Sequence, residues 1–252
     1  MQTGIRTNVF ANVVEGGDIV LNARLFGDII RRMPDDMITF TADEKMMVHV
    51  SCGDADFDIL GLSAADYPDL PEVEDEYAVS MQQKVLRSMI EEVSFAVSTN
   101  ESRPVHTGAL FEIADMCLNM VAVDGFRLAR RTYHTKEDTQ RELSFVVPAP
   151  GLKEVEKILT DSEDMASFTL GPKHILFQIG SATLVCRLLE GEFLDWQKVV
   201  PTNCPIRLVA HVSDLASSVD RVGLIVSEKY KSPVRCIFGH QELLMRTNTT
   251  IG

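Results

Sequence analysis

Residues 103–131 read RPVHTGALFEIADMCLNMVAVDGFRLARR, and this stretch decides how the chain is organised. Leu110 to Ile113 and Leu118 to Val123 are extended apolar runs, and a third run from Phe126 to Tyr133 follows them. Between the runs, Asp124-Gly125 is a dipeptide that readily supplies the positive backbone angles of a tight hairpin turn. The stretch therefore predicts a meander of antiparallel strands. The local sequence pattern by itself assigns no function to the turn.

Composition is that of a soluble globular protein large enough for one large domain or two ordinary ones. The chain has 252 residues, of which 45% are hydrophobic and 24% charged. No apolar run approaches the roughly 20 residues that cross a bilayer, and the first residues, MQTGIRTNVF, lack the layout of a signal peptide. We therefore expect a cytoplasmic protein with no membrane partner. A net charge of -13 argues against coating nucleic acid with the whole surface, but it leaves room for a local basic face.

The cysteines and histidines give no sign of a metal or cofactor site. Five widely spaced cysteines form no CxxC pair, and most of them lie in apolar runs, so we expect reduced, partly buried thiols. The six histidines are scattered singly. We predict no metal, no cofactor and no catalytic residue.

Four amphipathic helices are predicted among many short strands. Asn22 is a plausible N-cap for the first, and Ser80 with Gln83 has the spacing of a capping box for the second. Two acidic or proline-containing stretches, 65–76 and 190–203, have the composition of connectors. The predicted helices are 23–33, 81–97, 151–159 and 213–226, and the predicted strands include 37–41, 46–51, 57–60, 145–147, 167–170, 175–179 and 183–189.

The order of elements repeats along the chain. VLNARLFGDIIRRM, from Val20, aligns with VVPAPGLKEVEKIL, from Val146, at a spacing of 126 residues. Separately, Gln82 to Val105 aligns with His211 to Val234 at a spacing of 129 residues. Two independent alignments with nearly the same period indicate one domain type used repeatedly. The phase predicts the back half of a first domain at 1–72, a complete second domain at 73–201 and the front half of a third at 202–252.

At this point the chain resembles a known family, the bacterial DNA sliding clamp, which is the beta subunit of DNA polymerase III. The resemblance is carried by SFAVSTNESRPVHTG, by VAVDGFRLA where the family usually shows ATDGHRLA, by VVPAPGLKEVEKIL, by RLLEGEFLDWQKVVP and by the connector GLSAADYPDLPEVE. These motifs cover essentially the whole chain in the same order.

The resemblance implies an α+β DNA clamp (processivity) fold, in which repeated domains have helices on one side and antiparallel sheets on the other. Two chains of the family close head to tail into a ring around duplex DNA. The ring tethers the replicative polymerase, the clamp loader and repair proteins through short apolar peptide motifs. It has no chemistry of its own, so the resemblance predicts an accessory subunit of the polymerase rather than an enzyme.

A ring that slides needs contacts to phosphate without base readout, because base-specific contacts would hold it at particular sequences. Basic side chains on helices that face the hole would suffice. The alternative is that these are ordinary solvated helix faces, since Glu91, Glu92 and Asp220 lie on the same helices. The predicted DNA-binding residues are Arg24, Arg31, Arg32, Lys84, Arg87, Lys153, Lys157 and Arg221.

The resemblance also implies a pocket for partner peptides, with an apolar floor and a few polar groups at the rim. The alternative is that its members are plain hairpin and connector residues. Matching the family's positions one by one gives His106, Val123, Gly125, Phe126, Arg127, Leu128, Leu194, Lys198, Val199 and Tyr230.

Five of these positions depart from the commonest family pattern. His106, Val123, Phe126, Leu194 and Lys198 stand where leucine, threonine, histidine, proline and arginine are usual. A histidine adds polarity to the floor, and a lysine does not reproduce a bidentate guanidinium contact. We therefore expect an altered partner preference.

Self-association is the third implied site. By the same matching, Leu25, Ile29, Leu224 and Ile225 fall where neighbouring chains meet, and the alternative for them is core packing. The absent half-domains leave ring closure open. One hypothesis is a shortened product with a folded central domain. Another is that the half-domain at one end pairs with the complement at the other, which gives a different ring size.

Two other functions were weighed against the clamp. The first is an uncharacterised hydrolase, in which His106 and Asp124 serve as an acid/base site, but no nucleophile elbow, phosphate loop or HExxH motif accompanies them. The second is a clamp-derived module that binds peptides without encircling DNA. It predicts peptide binding without retention on circular DNA.

Overall fold

A computed structural model of the chain describes residues 3–65, 67–73, 77–135, 142–226 and 233–248. Within it the chain divides into two units, Met1–Leu194 and Asp195–Gly252. The second unit contains α4 (Trp196–Val199), α5 (Val212–Gly223), β15 (Arg235–Phe238) and β16 (Leu243–Arg246). The first unit contains β1 (Thr3–Thr7), β2 (Ile19–Val20), α1 (Ala23–Ile30), β3 (Thr39–Ala42), β4 (Met47–Cys52), β5 (Ala55–Leu60), β6 (Leu62–Ser63), β7 (Tyr77–Gln82), α2 (Gln83–Ser94), a 3-10 turn (Pro104–Thr107), β8 (Gly108–Ala114), β9 (Cys117–Val123), β10 (Leu128–His134), β11 (Leu143–Pro148), α3 (Ala149–Ile158), β12 (Met165–Leu170), β13 (His174–Ile179) and β14 (Ala182–Arg187).

The first unit is built on antiparallel sheets with helices packed against them. One sheet has the strand order β1-β14-β13-β12-β7, and the other has the order β10-β9-β8-β11. Helices α2 and α3 lie against each other, and they also contact strands of both sheets. Antiparallel sheets with helices packed against them agree with the predicted α+β architecture.

Alternating apolar residues of the strands and the apolar stripes of α2 and α3 form one core. Phe168 is fully buried at its centre, and its ring centroid lies 5.8 Å from that of Phe111, 6.3 Å from that of Phe145 and 6.0 Å from that of Phe177. Aromatic pairs at such separations add to the stability that burial alone provides. This cluster ties both sheets together.

A smaller core lies in the N-terminal part of the first unit. Helix α1 packs on the three-stranded sheet β3-β4-β5, and Ile29, Val48, Val50 and Ile59 are buried between them. Strand β2 pairs with β6 beside this sheet. The side chain of Asn22 accepts a hydrogen bond from the Leu25 N–H at 3.0 Å, which confirms the predicted N-cap.

Strand β1 belongs to the five-stranded sheet β1-β14-β13-β12-β7. Its pairing with β14 runs from Thr3 opposite Cys186 to Thr7 opposite Ala182. The segments predicted as the first and second domains therefore share a sheet, and the unit Met1–Leu194 contains the first segment and the second as far as Leu194. The boundaries at residues 72 and 201 stay a prediction.

The start of the second helix differs from the prediction. Ser80 and Met81 lie in β7, and α2 begins at Gln83, so the predicted capping box is wrong. The first amides of α2 are satisfied by a neighbouring loop, because the Gln83 N–H donates to the Asp164 carbonyl at 2.8 Å and the Lys84 N–H to the Ser162 carbonyl at 3.1 Å.

The two hairpin turns of the meander also differ from the prediction. The two-residue turn with both φ angles positive is Asp115-Met116, at 49° and 59°. At Asp124-Gly125 only Gly125 has a positive φ, of 91°, and the third strand begins at Leu128 rather than at Phe126. The sequence signal was weak at Asp115-Met116 because methionine rarely adopts this conformation.

The cysteines match the expectation of free thiols, but not all of them are buried. All five are unpaired; Cys52 and Cys186 are buried, Cys117 is half-buried, and Cys204 and Cys236 are exposed. Burial raises the pKa of the Cys186 thiol to about 11. None of the described helices has the length and apolar character needed to cross a membrane.

Candidate functional site

The loop between β9 and β10 is held by the side chain of Asp124. One carboxylate oxygen accepts the backbone N–H groups of Phe126 at 2.9 Å and Arg127 at 3.1 Å, and the other accepts the Arg127 Nε at 2.8 Å. These hydrogen bonds, led by the one from the Phe126 amide, lower the pKa of Asp124. The loop thus has one preferred shape over residues 124–127.

This shape turns the Phe126 side chain fully into solvent. Its neighbour Arg127 folds back, and its guanidinium carbon lies 5.6 Å from the ring centroid of Phe95, which is itself exposed. Val123 is buried in the sheet and pairs with the half-buried Leu128. Phe126 and Arg127 therefore form the accessible surface of the hairpin, and Val123 supports it from within.

His106 lies on the 3-10 turn and is tied to the same region. Its carbonyl accepts the Ser98 N–H at 3.0 Å, and its ring meets that of Phe193 edge to face, with centroids 5.2 Å apart. Partial burial, followed by the charge of Arg103, lowers the pKa of the His106 imidazole. The neutral form is therefore favoured near pH 7.

A cleft continues from Phe193 along the chain segment that precedes the second unit. The segment is fixed by backbone bonds, since the Leu189 N–H donates to the Val146 carbonyl at 3.0 Å. Leu194, the last residue of the first unit, is exposed beside Phe193. The open cleft has a volume of about 400 Å³ and is lined by Leu110, Ser144, Phe145, Val146, Pro172, Lys173, Leu188, Leu189, Glu190, Gly191 and Phe193.

Phe95 and Phe193 were missed as site residues. Both stand in the motifs that carried the resemblance, SFAVSTNESRPVHTG and RLLEGEFLDWQKVVP, so the signal was present in the sequence. Phe95 lies beside Arg127 and Phe193 beside His106 because of long-range packing, which the residue pattern of a single sequence does not show.

Three predicted pocket residues belong to the second unit. Lys198 Nζ lies 2.7 Å from the Asp195 carboxylate, and this pairing raises the pKa of Lys198 and lowers that of Asp195. Val199 on the same helix, α4, is exposed. Tyr230 lies outside the described residues. It stays a prediction that these three residues and the hairpin form one peptide-binding site.

Half of the eight predicted DNA-binding side chains are ion-paired at the surface. Lys84 contacts Glu163 at 2.7 Å, and the other pairs lie within single helices or turns. Exposed pairs of this kind are weak, because water and salt screen the attraction, so another anion can replace the carboxylate. The remaining contacts are Arg87 with Glu91 at 2.9 Å, Lys157 with Glu154 at 2.7 Å, Arg31 with Asp28 at 2.6 Å, Arg32 with the Asp28 carbonyl at 3.2 Å and Arg221 with the Ser218 hydroxyl at 2.9 Å, while Arg24 and Lys153 are exposed.

The positions of Arg31 and Arg32 differ from the prediction, which placed both in the first helix. Helix α1 ends at Ile30, so Arg31 and Arg32 lie in the turn that follows it. The Arg31 and Arg32 side chains reach back to Asp28, which shares the solvent side of α1.

The self-association residues divide into two groups. Leu25, Leu224 and Ile225 are exposed, as a contact surface requires. Ile29 is only 8% exposed and packs with Val48, Val50 and Ile59, so its assignment to a surface contact is wrong and its role is core packing.

No group of three or more histidine, cysteine, aspartate or glutamate side chains that could hold a metal ion is found in the described ranges. His49 contacts Asp58 at 2.8 Å and Asp56 at 3.4 Å on an exposed sheet surface. Hydrogen bonding to Asp58 raises the pKa of His49.

Two family models match the chain. Residues 80–195 match the central domain of the DNA polymerase III beta subunit, and residues 2–71 match its N-terminal domain. Together they cover the hairpin, the 3-10 turn and the cleft described above.

Individual relatives and solved structures agree with the family models. A beta sliding clamp of Staphylococcus epidermidis is 32% identical over 95% of this chain and 64% of its own length. A crystal structure from Eubacterium rectale, described as a DNA polymerase III beta subunit, is 30% identical, with a TM-score of 0.91 over 100% of this chain and 68% of that one. A sliding clamp of Pseudomonas aeruginosa bound to griselimycin is 26% identical, with a TM-score of 0.88 over 98% of this chain and 70% of that one.

The chain spans 64% of the length of the curated relatives that it matches. Its described strands and helices follow those of the solved structures over nearly all of its residues. The order of motifs, the fold and the two family models agree, and the chain belongs to the DNA polymerase III beta subunit family, the bacterial DNA sliding clamps.

Proposed function

We propose that this chain acts in DNA replication as a sliding clamp, a processivity factor that encircles duplex DNA in the cytoplasm and tethers a polymerase to it. The observation that carries the proposal is the hairpin in which Asp124 fixes a loop that exposes Phe126 and places Arg127 over the ring of Phe95. A surface loop fixed by its own hydrogen bonds and presenting an exposed aromatic ring is suited to recognition.

The proposed partner groove includes this hairpin, His106 and Phe193. Its floor is apolar, because the favoured form of His106 is neutral, and Arg127 supplies a cation at the rim. Such a groove favours short peptides with apolar side chains and an acidic or polar flank. Leu194, Lys198, Val199 and Tyr230 stay predicted members of the peptide site. The partners are the replicative polymerase, the clamp loader and repair proteins, and the relative bound to griselimycin supports a ligand site in this family.

DNA is held by the basic side chains of the helices. Each exposed ion pair of Lys84, Arg87 and Lys157 is weak, so a phosphate group replaces the carboxylate at little cost. Such contacts carry no sequence information, which is what sliding requires. The net charge of -13 repels DNA from the remaining surface. The clamp itself carries out no chemistry and is an accessory subunit of a DNA polymerase.

One experiment tests binding and encirclement together. The purified chain is incubated with nicked circular duplex DNA, with and without a clamp loader, and the DNA is then isolated and linearised. Retention on the circle and release on linearisation are expected, because a closed ring is held by topology. In parallel, binding of labelled griselimycin and of short apolar peptides is measured for the wild type and for Phe126→Ala.

The alternative function is a peptide-binding module that does not encircle DNA. It is favoured by the placement of the hairpin, Phe95, His106 and Phe193 within the single unit Met1–Leu194. It predicts peptide binding that Phe126→Ala weakens, together with no retention on circular DNA. Loss of both activities contradicts both functions.

A further inference from the structure

The cleft beside Phe193 lies wholly within the first unit, and apart from Phe193 its lining has no part in the proposed function. Of the predicted pocket residues that the structure describes, none lines it. Its volume of about 400 Å³ falls within the range of ligand pockets, about 300–1,000 Å³. Half-buried Leu188, Leu189 and Phe193 form its apolar walls over a buried floor of Leu110 and Val146. The cleft is therefore a candidate binding site of its own.

Two consecutive amides fix the walls of this cleft. The Leu188 N–H donates to the Lys173 carbonyl at 2.9 Å, which ties the segment to the turn between β12 and β13. The Leu189 N–H donates to the Val146 carbonyl at 3.0 Å, which ties it to β11. The chain then turns away from β11 at Gly191, whose φ of 132° favours glycine. The walls are thus in place before any ligand binds, which lowers the cost of binding.

Strand β11 presents a free main-chain edge to the cleft. It is the last strand in the order β10-β9-β8-β11. The main-chain groups of successive residues alternate in direction along an antiparallel strand. Because the Val146 carbonyl points away from β8 and towards Leu189, the N–H and C=O of Ser144 also point away from β8, and no main-chain partner for them occurs in the described ranges. Ser144 therefore offers one donor and one acceptor to an extended segment.

Lys173 gives the cleft a positive charge. Its side chain is exposed, and no carboxylate of the residues that the structure describes forms an ion pair with it. The carboxylate of Glu190, also in the lining, contacts Arg187 at 3.5 Å. An acidic group on a ligand complements Lys173, and an apolar side chain complements the walls.

The corresponding place in the segment predicted as the first domain is open to solvent. Leu62 and Tyr67 stand 126 positions before Leu188 and Phe193. They are 67% and 65% exposed, although strands β7 to β14 follow them in the same unit. A following repeat therefore does not cover this place.

We propose that the cleft binds a second extended segment of a partner protein, separate from the peptide at the hairpin. Its main chain pairs with Ser144, and an apolar side chain contacts Leu188 and Phe193. An acidic side chain two positions away, on the same side of the extended segment, faces Lys173. The inference rests on the proposed function for the kind of partner. Two sites for one partner chain raise its affinity through effective concentration.

Two blocked peptides serve as probes of the cleft alone. They are acetyl-Asp-Thr-Leu-Thr-Asp-amide and acetyl-Lys-Thr-Leu-Thr-Lys-amide, which carry the charge on the leucine side in either strand direction. The acidic probe is expected to bind about two- to tenfold more tightly, despite the net charge of -13 on the protein. Binding is measured by NMR titration, and the amide signals of Ser144 and Leu189 are expected to shift. Saturation with griselimycin is expected to leave probe binding unchanged.

Variants test the charge and the main-chain edge separately. Lys173→Glu is expected to reverse the order of the two probes. Ser144→Pro removes the outward N–H at an edge position, where proline is tolerated, and is expected to weaken both probes at least about fivefold. Ser144→Ala, which keeps the main-chain groups, is the matched control and is expected to bind like the wild type. Circular dichroism checks that each variant is folded.

The two ligands separate this inference from the proposed function. Griselimycin binding without probe binding overturns the cleft site alone, whereas probe binding without griselimycin binding counts against the hairpin site alone. Competition between griselimycin and the probe overturns a separate cleft site. The same order of the two probes in the wild type and in Lys173→Glu also overturns it.

Discussion

The imidazole of His106 stands edge-on to the ring of Phe193, with an interplanar angle of 69° and a centroid distance of 5.2 Å. This contact joins the 3-10 turn to the connector 190–203, which follows the sheets of the predicted second domain. It also places a titratable group in the floor of the proposed groove. The family's usual leucine at this position does not titrate, so the contact makes the groove of this chain sensitive to pH.

We expect peptide binding to weaken as the pH falls. Burial and the charge of Arg103 lower the pKa of His106 below its ordinary value near 6.5. An apolar ligand that covers the ring removes more water from it and lowers this pKa further, so protonation of His106 disfavours the bound form. Griselimycin affinity, measured by calorimetry at pH 7.5 and 5.5, is expected to decrease by less than about tenfold per pH unit.

Two substitutions isolate the role of this histidine. His106→Leu is expected to bind griselimycin with little pH dependence, and His240→Gln, at an exposed histidine of the second unit, is expected to retain the dependence of the wild type. An unchanged pH profile in His106→Leu would assign the effect to another group.

Gly125→Ala is expected to destabilise the hairpin by about 1–3 kcal/mol through the backbone alone. The φ of 91° disfavours any residue with a Cβ atom, while a Cβ at this position would meet no atom within 4 Å. Gly16→Ala is the matched control, because it also has open space but no positive φ. Urea unfolding measures the free energy of each variant, and equal effects of the two substitutions would refute the strain at Gly125.

Much of the fold follows from local patterns. The stripe of Phe26, Ile29, Ile30 and Met33 predicted the first helix, and the Asn22 cap fixed its start. These signals are carried within about one helical turn, so a single sequence contains them. The repeat supplied the rest of the architecture, because the same patterns recur at a nearly constant spacing.

What local patterns missed depends on contacts far apart in the chain. Helix α2 begins at Gln83 because carbonyls of Ser162 and Asp164 accept its first amides, and these residues are about 80 positions away. Phe193 reaches His106 only after the sheet has folded between them. Residue types identify candidate groups, but packing decides which of them meet.

Phe168 and Phe126 offer a direct comparison of one residue type in two settings. Phe168→Ala is expected to reduce the free energy of unfolding by about 3–5 kcal/mol, because a buried ring that contacts Phe111, Phe145 and Phe177 leaves a cavity. Phe126→Ala is expected to change stability by less than about 0.5 kcal/mol, because its ring is fully exposed, but to lose griselimycin binding. A large loss of stability in Phe126→Ala would mean that the hairpin, rather than the ligand, needs this ring.

The two exposed lysines of α3 allow the number of phosphate contacts to be measured from the salt dependence of DNA affinity. Lys153 and Lys157 lie one turn apart on the solvent side of α3, and Lys157 is held only by an exposed pair with Glu154. If both contact phosphate, Lys153→Gln/Lys157→Gln should reduce the slope of log affinity against log salt by about 2, because each phosphate contact contributes about 0.9.

Lys45→Gln/Lys173→Gln removes the same charge from a turn and from the cleft, and it is expected to leave the slope nearly unchanged. Binding to nicked circular duplex DNA between about 50 and 200 mM salt gives both slopes. Equal slopes for the two double variants would show that DNA responds only to net charge and would remove α3 from the DNA-facing surface.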